Sequence, residues 1–536
     1  MKKSIIITLA LAFTSTLFAQ KDSLNAVINV ENDYAPVVTK ATKKGFTPQT
    51  ETTASNAPLA LEFSLKRTPF RGLVIKKKMA EKLIGQEIDF PGYTRLAYGI
   101  GDNIDGKISY QHEITKRDNI KAMASIEGFS CEVDGPVKKW DSRMFSSWVS
   151  TDYSHSFNKL ILGVGGYFEN NVFNYQRNLL PNKQNNKKYD IHVNGVSQLA
   201  GPFAYNFNAG IKRNHYKYLE GMPGSYSQNN LYLNGLLKHE LDDERIDNIN
   251  LGIELDNYTY SGSSTFEGFF SATLNPYTDI IFEKAQIHIG AFVNILSDNG
   301  SMFAIAPDLE VEFPINKKIS LYTTIKGGRT AGTFEAMENV TPYWINIVEK
   351  PAYTIADATI GARFAHKSLA ANVFTGYTYT KDDLLNYSID VVDRFDDSFE
   401  VISAIGQENT SKIFIGANAT YDYAGWLKLF ANTRYNYWKC DKKEWIGTKP
   451  EFELNLNAES RIFKHILINL AYNFATYGND QPSKNKNELN LRAGCNLMKR
   501  FGVFVEGNNL LNQEYVKYAG YYEQGVNILI GASAKF

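Results

Sequence analysis

The chain has 536 residues, and its 57 basic and 57 acidic side chains leave no net formal charge at pH 7. A neutral chain has no general electrostatic attraction to nucleic acid, so we expect no nucleic-acid partner. Apolar residues make up 43% of the chain and charged residues 21%, which is the balance of a water-soluble protein. Membrane-spanning β-barrels give the same average, because their strands alternate apolar and polar residues.

The N-terminus has the pattern of a secretory signal peptide. Lys2 and Lys3 precede an apolar run, and the small residue Ala19 stands at the expected cleavage point. The apolar run is too short for a membrane anchor, and no run of about 18 apolar residues follows it. We therefore expect residues 1–19 to be removed on export and the remaining chain to contain no membrane-spanning helix.

Residues 20–88 are predicted to form an extended, largely unstructured periplasmic leader. They are polar and rich in Thr, Lys and Pro, a composition that cannot form a packed core. Only 58–66 alternates strictly, which predicts one amphipathic strand. The apolar side of this strand consists of Leu59, Leu61, Phe63 and Leu65. Its unpaired edges suit strand addition to a protein partner, and the alternative is packing against the lumen wall or periplasmic rim of the same chain.

From about residue 90 onward, apolar and polar residues alternate with a period of two. The apolar parity of the final strand contains Val526, Ile528, Ile530, Ala532, Ala534 and Phe536. The opposite parity is polar or small except at Leu529. The same alternation recurs in 248–256, 285–295, 452–459 and 488–497. A period of two is the side-chain period of a strand, so the sequence predicts an antiparallel β protein with one apolar face.

The connections between these segments alternate between short and long. Short connections include 315–318, 365–368 and 498–501, and long ones include 174–188, 327–344, 476–487 and 512–524. This alternation is typical of an outer-membrane barrel, which has short periplasmic turns and long extracellular loops. A secreted β-sandwich or propeller is the alternative, but such a fold has no reason to shorten the connections at one end only.

These patterns together predict an all-β fold. We expect a closed, antiparallel, up-and-down transmembrane barrel of about 22 strands, an even number, over residues 89–536. Its apolar face would contact outer-membrane lipid, and its polar face would line the lumen. The predicted location is the cell outer membrane of a Gram-negative bacterium.

No motif in the sequence predicts an enzyme, a cofactor or a metal site. The segment 101–108 has the spacing of a phosphate-binding loop, but Ile108 stands where Ser or Thr would bind magnesium. A hairpin turn at Asp105 and Gly106 explains that segment better. The eight histidines are scattered without ligand spacing, and we expect His192 and His288 to be solvated residues of the lumen wall.

The last 33 residues, 504–536, resemble the closing hairpin of TonB-dependent receptors. The resemblance is carried by Asn509, Asn512, Tyr515, Tyr518, Gly520, Tyr521 and a terminal Phe536. It implies a 22-strand barrel, and 399–421 is similar to a long strand of that barrel. It also implies that Phe536, Ala534 and Ile530 form a C-terminal signal for the barrel assembly machinery. Residues 27–44 are similar to periplasmic leaders of Bacteroidota barrel proteins.

The resemblance has one clear departure. TonB-dependent receptors carry a plug domain inside the barrel, whereas the leader 20–88 is short and polar, so we expect the plug to be absent. Two functions are then open. The first is an accessory or structural subunit of a larger outer-membrane complex for protein insertion or secretion, with outer-membrane or periplasmic protein partners. The alternative is a channel or receptor for solutes, gated by its leader, its loops or a separate partner.

Overall fold

A computed structural model describes most of the chain after the predicted leader. The described residues are 90–536, without 135–138, 176–182, 198–202, 218–223, 242–245, 263–266, 283–284, 299, 301, 347, 393–398, 463–465 and 479–484. The predicted signal peptide 1–19, the leader 20–88 and its strand 58–66 lie outside the described residues, so they stay predictions.

The described chain is almost entirely β-structure, as the alternation of apolar and polar residues predicts. The first twelve strands are β1 Gly92–Gly99, β2 Asn103–Thr115, β3 Asp118–Asp134, β4 Lys139–Ser156, β5 Leu160–Asn174, β6 Lys183–Ser197, β7 Phe203–Tyr216, β8 Tyr226–Glu240, β9 Ile246–Ser261, β10 Phe269–Phe282, β11 Ala285–Leu296 and β12 Phe303–Asn316. They are followed by β13 Ile319–Thr330, β14 Ala352–His366, β15 Leu369–Val392, β16 Phe399–Tyr423, β17 Leu427–Cys440, β18 Phe452–Ile462, β19 Ile466–Thr476, β20 Lys486–Asn496, β21 Phe501–Asn508, β22 Val516–Tyr518, β23 Tyr521–Tyr522 and β24 Asn527–Lys535.

Twenty-two of these strands form one closed antiparallel barrel. Strands β1 to β21 pair in chain order, and β24 pairs with both β21 and β1. The two ends of the barrel chain meet at this seam, where Gly92 N donates to Phe536 O at 2.8 Å and Phe536 N donates to Gly92 O at 3.0 Å. The barrel therefore has no sheet edge, and the predicted fold class and strand number are confirmed.

The two faces of the barrel wall follow the predicted parity. On β24, Ile530 is 71% exposed on the outer face, whereas its neighbour Leu529 is fully buried on the inner face. Leu529, the one apolar residue on the polar parity, packs there with Ala97 of β1 and Phe504 of β21. An apolar outer face with polar residues inside is the distribution that a hydrocarbon surrounding requires.

The connections at the two ends of the barrel differ in length as predicted. Each periplasmic turn, from an even-numbered to the following odd-numbered strand, has two to five residues. Nine of the eleven extracellular connections have six or more residues, and only those after β1 and β3 are as short as the periplasmic turns. The two longest are 331–351 between β13 and β14 and 509–526 between β21 and β24. The longest strands, β15 and β16, have 24 and 25 residues and extend well beyond the outer ends of their neighbours β14 and β17.

The structure departs from the sequence prediction at two places. The first hairpin does not turn at Asp105 and Gly106, which both lie inside β2. It turns at Gly101 and Asp102, whose φ values of 69° and 47° are in the left-handed region. The second departure is a helix, α1 Phe334–Val340, in a long connection of a fold predicted to be all-β. None of the helices among the described residues is long and apolar enough to cross a membrane.

Neighbouring residues on opposite faces of β14 test the assignment of the two faces. Ile360 is 60% exposed on the outer face near the middle of β14, and Thr359 lies beside it on the inner face. We expect Ile360→Arg to destabilise the barrel by about 2–4 kcal/mol, because it puts a cation into hydrocarbon. The measurement is a refolding titration in lipid vesicles, with Thr359→Arg as the control. Equal destabilisation by the two variants would contradict the assignment.

Candidate functional site: a loop cap at the outer mouth of the barrel

The loop 331–351 contains a short helix because its sequence supplies both a cap and an apolar side. The Thr333 hydroxyl accepts a hydrogen bond from Ala336 N at 3.1 Å, which caps the N-terminus of α1. Phe334 and Met337 are fully buried on the side of α1 that faces the barrel wall. A seven-residue helix is not stable alone, so this packing holds it in place.

An apolar cluster joins α1 to the outer ends of several barrel strands. Rings of Phe334 and Trp344 pack against Tyr216, the last residue of β7, with ring centroids 5.4 and 5.0 Å away. The cluster consists of Tyr216, Tyr226, Phe334, Ala336, Met337, Trp344, Ala352, Leu384 and Ile405. These residues come from β7, β8, β14, β15 and β16 as well as from the loop, so the loop packs on separate parts of the wall.

A buried ion pair fixes α1 to the inner face of β6. The Lys188 ammonium lies 2.5 Å from a carboxylate oxygen of Glu338, and both side chains are at most 6% exposed. The other carboxylate oxygen of Glu338 accepts hydrogen bonds from the Asn186 amide and the Tyr216 hydroxyl. Burial raises the pKa of Glu338, and the neighbouring Lys188 ammonium opposes that rise. Burying either charge without its partner would cost free energy. The pair therefore favours the one position of α1 that keeps Glu338 beside Lys188.

The second long loop, 509–526, is built by the residues that carry the resemblance to TonB-dependent receptors. Asn509 and Asn512 both have φ of 49°. The side-chain Nδ2 of Asn509 donates to Gln513 O at 2.9 Å and to Gln524 O at 3.1 Å. Asparagine suits these positions because it tolerates the left-handed region and bonds to nearby backbone. Gly520, with φ of 79°, makes the turn between β22 and β23.

The two loops contact each other over the lumen. The rings of Tyr343 and Tyr521 are stacked with centroids 3.6 Å apart and planes within 10°. Tyr343 also packs edge-on against Phe173 of β5, at 5.3 Å. From the second loop, Ala519 N donates to Asn386 Oδ1 of β15 at 2.8 Å. We call these two loops, 331–351 and 509–526, the cap.

The outer part of the β15–β16 hairpin leans into the mouth and meets the cap. A bulge interrupts the pairing between Thr380 and Asp383, and bulges of this kind bend a strand. Beyond the bulge, Ser403 and Leu385 are fully buried, although a hairpin extending straight into water would expose them. The side chain of Asn346 in the cap donates to Ile405 O at 2.6 Å and accepts from Ile405 N at 2.8 Å.

These contacts show that the cap reaches across the mouth of the barrel. Tyr343 touches β5 and Asn346 touches β16, two strands that are eleven places apart in a ring of 22. Strands eleven places apart lie on opposite sides of the ring. Because only two residues separate Tyr343 from Asn346, the bent hairpin and the opposite wall are close together here, and the cap fills the space between them.

Two histidines on the lumen wall are paired with carboxylates. His192 lies 3.1 Å from Asp152, and His288 lies 2.8 Å from Asp279 and 3.2 Å from Asp308. Both histidines lie on the inner face, as the parity of their strands predicts. Among the described residues, no group of three or more His, Cys, Asp or Glu side chains could hold a metal ion.

None of the described residues predicted as sites from the sequence belongs to the cap. Leu59, Leu61, Phe63 and Leu65 lie outside the described residues, so their role in partner binding stays a prediction. Ile530, Ala534 and Phe536 lie on the last strand and at its end, on the apolar parity. A Cβ on Gly92 would lie 2.2 Å from the ring of Phe536, so the ring packs at the seam where only a glycine leaves room for it. The role of these three residues as an assembly signal stays a prediction.

Sequence reasoning missed the cap, although two features of its sequence indicate it. The long connection 327–344 contains Phe334, Met337, Tyr343 and Trp344, large apolar and aromatic side chains that favour burial. Thr333 followed by an acidic Glu335 is also a helix N-terminus signal. The pairing of Glu338 with Lys188 joins residues 150 positions apart, and no local pattern predicts it.

The fold and its surface define a class of protein, an outer-membrane β-barrel of 22 strands. No protein-family model matches the chain, and no curated protein matches it in sequence. Solved structures are similar to it in fold, at identities too low to show more than the fold. The likeness confirms the barrel fold. The closed barrel with its apolar outer face confirms the predicted outer-membrane location, while the absence of a plug and the Bacteroidota type stay predictions.

Three of the similar structures are receptors or transporters. The siderophore receptor PirA from Acinetobacter baumannii has a TM-score of 0.66 at 10% identity, over 83% of this chain and 80% of that chain. The copper transporter OprC has a TM-score of 0.63 at 10% identity, over 83% and 80%. The ferric-catecholate import receptor Fiu from K12 E. coli, in a closed form, has a TM-score of 0.62 at 8% identity, over 84% and 82%.

The Glu338–Lys188 pair gives a direct test of how the cap is held. We expect Glu338→Ala to release α1, because the buried Lys188 ammonium would lose its nearest carboxylate, at a cost of about 3–5 kcal/mol. The double variant Glu338→Met with Lys188→Met should keep the cap in place, because two apolar side chains replace the pair. Chymotrypsin treatment of outer-membrane vesicles measures the release, since a freed loop exposes Tyr343 and Trp344. Equal protection of the single variant and the wild type would contradict this account.

Proposed function

We propose that the protein is a receptor-type channel that admits a solute through the outer membrane when its cap moves aside. The observation that carries the proposal is the cap itself, in which two extracellular loops pack together across the mouth. A lumen lined by polar side chains provides a path for a solute, and the cap provides a closed state. The solute would bind from outside and shift the cap toward an open state by binding that state more tightly.

The structural neighbours support this proposal by analogy. Two are named as receptors and one as a transporter, and none of these names denotes an enzyme. An import role for this chain is consistent with the shared barrel, although a shared fold by itself does not determine function. The solute is not carried over from those proteins.

The other function considered from the sequence is an accessory subunit of a larger outer-membrane complex. That interpretation depended on the leader 20–88, which lies outside the described residues, and on the need for a partner to block a wide barrel. The cap offers a way to block the mouth with the protein's own loops, so it favours the channel over the accessory subunit.

A loop replacement tests the proposal. Replacing 335–347 with a Gly-Ser-Gly-Ser linker removes α1, Glu338 and Tyr343 while leaving every barrel strand intact. We expect severalfold higher single-channel conductance in planar bilayers and greater sensitivity of cells to vancomycin, because the mouth would be open. The matched control puts the same linker in place of 479–484, which lie in sequence between β19 and β20 and belong to neither cap loop.

A folded variant is recognised by its shifted migration on unheated gels. If the folded 335–347 replacement leaves conductance and vancomycin sensitivity unchanged, the channel proposal fails. If it instead loses co-purifying outer-membrane proteins without a change in conductance, the accessory role is the better account.

A further inference from the structure

A patch of basic side chains lies on the outer face of the barrel near its extracellular end. It comes from two neighbouring strands, β6 and β7, and from the residue that follows β7. Its members have the parity of Ile191 on β6 or Ile211 on β7, which are 70% and 58% exposed on the outer face. We call the following residues the basic patch: Lys183, Lys187, Arg213, His215 and Lys217.

The basic patch begins where the apolar band of the outer face ends. Along β7, the outer-face residues are apolar or aromatic from Phe203 at the periplasmic end to Ile211. This stretch spans about 27 Å along a tilted strand, and the apolar band of an outer-membrane barrel is about 25 Å tall. Arg213 is the next outer-face residue. The patch therefore lies at the level of the lipid headgroups of the outer leaflet.

Neutral residues surround the basic patch on the barrel wall. Asn170 of β5 lies directly opposite Lys187, and Ser227 of β8 lies directly opposite His215. The Ser227 hydroxyl is 3.1 Å from the Arg213 guanidinium and 2.9 Å from the His215 ring. Within the part of the chain that the structure describes, no carboxylate forms an ion pair with the patch. Its positive charge is therefore available to an anion from outside the protein.

A phosphorylated lipid has the chemistry that this surface fits. Lysine and arginine bind phosphate oxygens through charge-assisted hydrogen bonds. Because the apolar band continues directly below the patch with Ile191 and Ile211, the acyl chains of the same molecule would lie against it. A free phosphate ion would make only the polar part of these contacts. The surroundings therefore favour a lipid of the outer leaflet over a free phosphate ion.

The basic patch lies directly behind the residues that fix the cap. Lys187 belongs to the outer face, and the next residue, Lys188, reaches inward to Glu338. On β7, Tyr216 points inward from the middle of the patch, and its hydroxyl donates to the same carboxylate group. The place that receives Glu338 is thus built by β6 and β7 together, and it depends on how these two strands are held.

We propose that the basic patch binds the phosphate groups of an outer-leaflet lipid, and that the bound lipid stabilises the closed cap. Like charges on neighbouring strands repel each other, which weakens the pairing of β6 with β7. A phosphate group between cations of both strands replaces this repulsion with attraction and keeps Lys188 and Tyr216 in place for Glu338. This inference goes beyond the proposed channel, because it concerns the lipid around the barrel and not the solute inside it.

Native mass spectrometry of the detergent-solubilised full chain measures the binding. The probe is lipid A with its phosphate groups, and the comparison ligands are the same lipid after removal of the phosphates and free pyrophosphate. We expect both comparison ligands to bind at least about tenfold more weakly than the probe. Equal binding of the dephosphorylated lipid would overturn the role of phosphate, and equal binding of pyrophosphate would overturn the choice of a lipid.

Paired variants connect the binding to the basic patch. Lys187→Gln with Arg213→Gln removes one cation from each strand, and we expect about thirtyfold weaker binding of the probe, because each basic residue near an anionic headgroup adds to the affinity. The matched control, Lys139→Gln with Arg143→Gln, removes a lysine and an arginine from the outer face of β4, where Glu132 lies 4.0 Å from Lys139. Equal weakening by the two pairs would overturn the assignment to the patch.

Chymotrypsin cleavage in lipid nanodiscs tests the effect on the cap. We expect the wild-type cap to be cleaved severalfold more slowly in nanodiscs that contain lipid A than in nanodiscs that contain its dephosphorylated form. The variant with Lys187→Gln and Arg213→Gln should be cleaved at the faster rate in both. Equal cleavage of the wild type in the two lipids would overturn the effect on the cap. Because neither measurement needs passage of a solute, their failure is distinguishable from failure of the conductance test.

Discussion

A sheet surrounded by hydrocarbon has to close on itself, because an edge strand there leaves backbone N–H and C=O groups without partners. In this chain the closure is made by the first and last barrel strands, where Gly92 and Phe536 exchange backbone hydrogen bonds. Closure then determines the rest of the structure. The outer face must be apolar, the inner face encloses a polar lumen, and a ring of 22 strands leaves a wide mouth that something has to occupy.

The mouth is occupied by a small folded unit made from two loops and a bent hairpin. Aromatic stacking of Tyr343 on Tyr521 joins the two loops, and the Glu338–Lys188 pair fixes one of them to the wall. Such a unit suits a gate. Its apolar contacts hold the two loops in the closed position. The buried Glu338–Lys188 pair is favourable only while the two charges stay close, so a displacement of α1 would weaken the whole cap.

The barrel could be predicted from the sequence, because its determinants are local and repeated. Alternation along 526–536 predicts the two faces of β24, and alternating connection lengths predict the sidedness. The cap could not be predicted in the same way. Its contacts join Asn346 to Ile405 and Ala519 to Asn386, pairs that are far apart in sequence and specified by no periodicity.

The central claim is that the cap is folded in the wild-type protein, and hydrogen exchange in lipid nanodiscs tests it most directly. The backbone amides of Met337 and Thr341 donate to Thr333 O and Met337 O at 3.0 Å, and Ala519 N donates to Asn386. The account predicts that these three amides exchange far more slowly than those of an open extracellular loop. Exchange of all three at the rate of an unstructured peptide, with the barrel strands still protected, would contradict it.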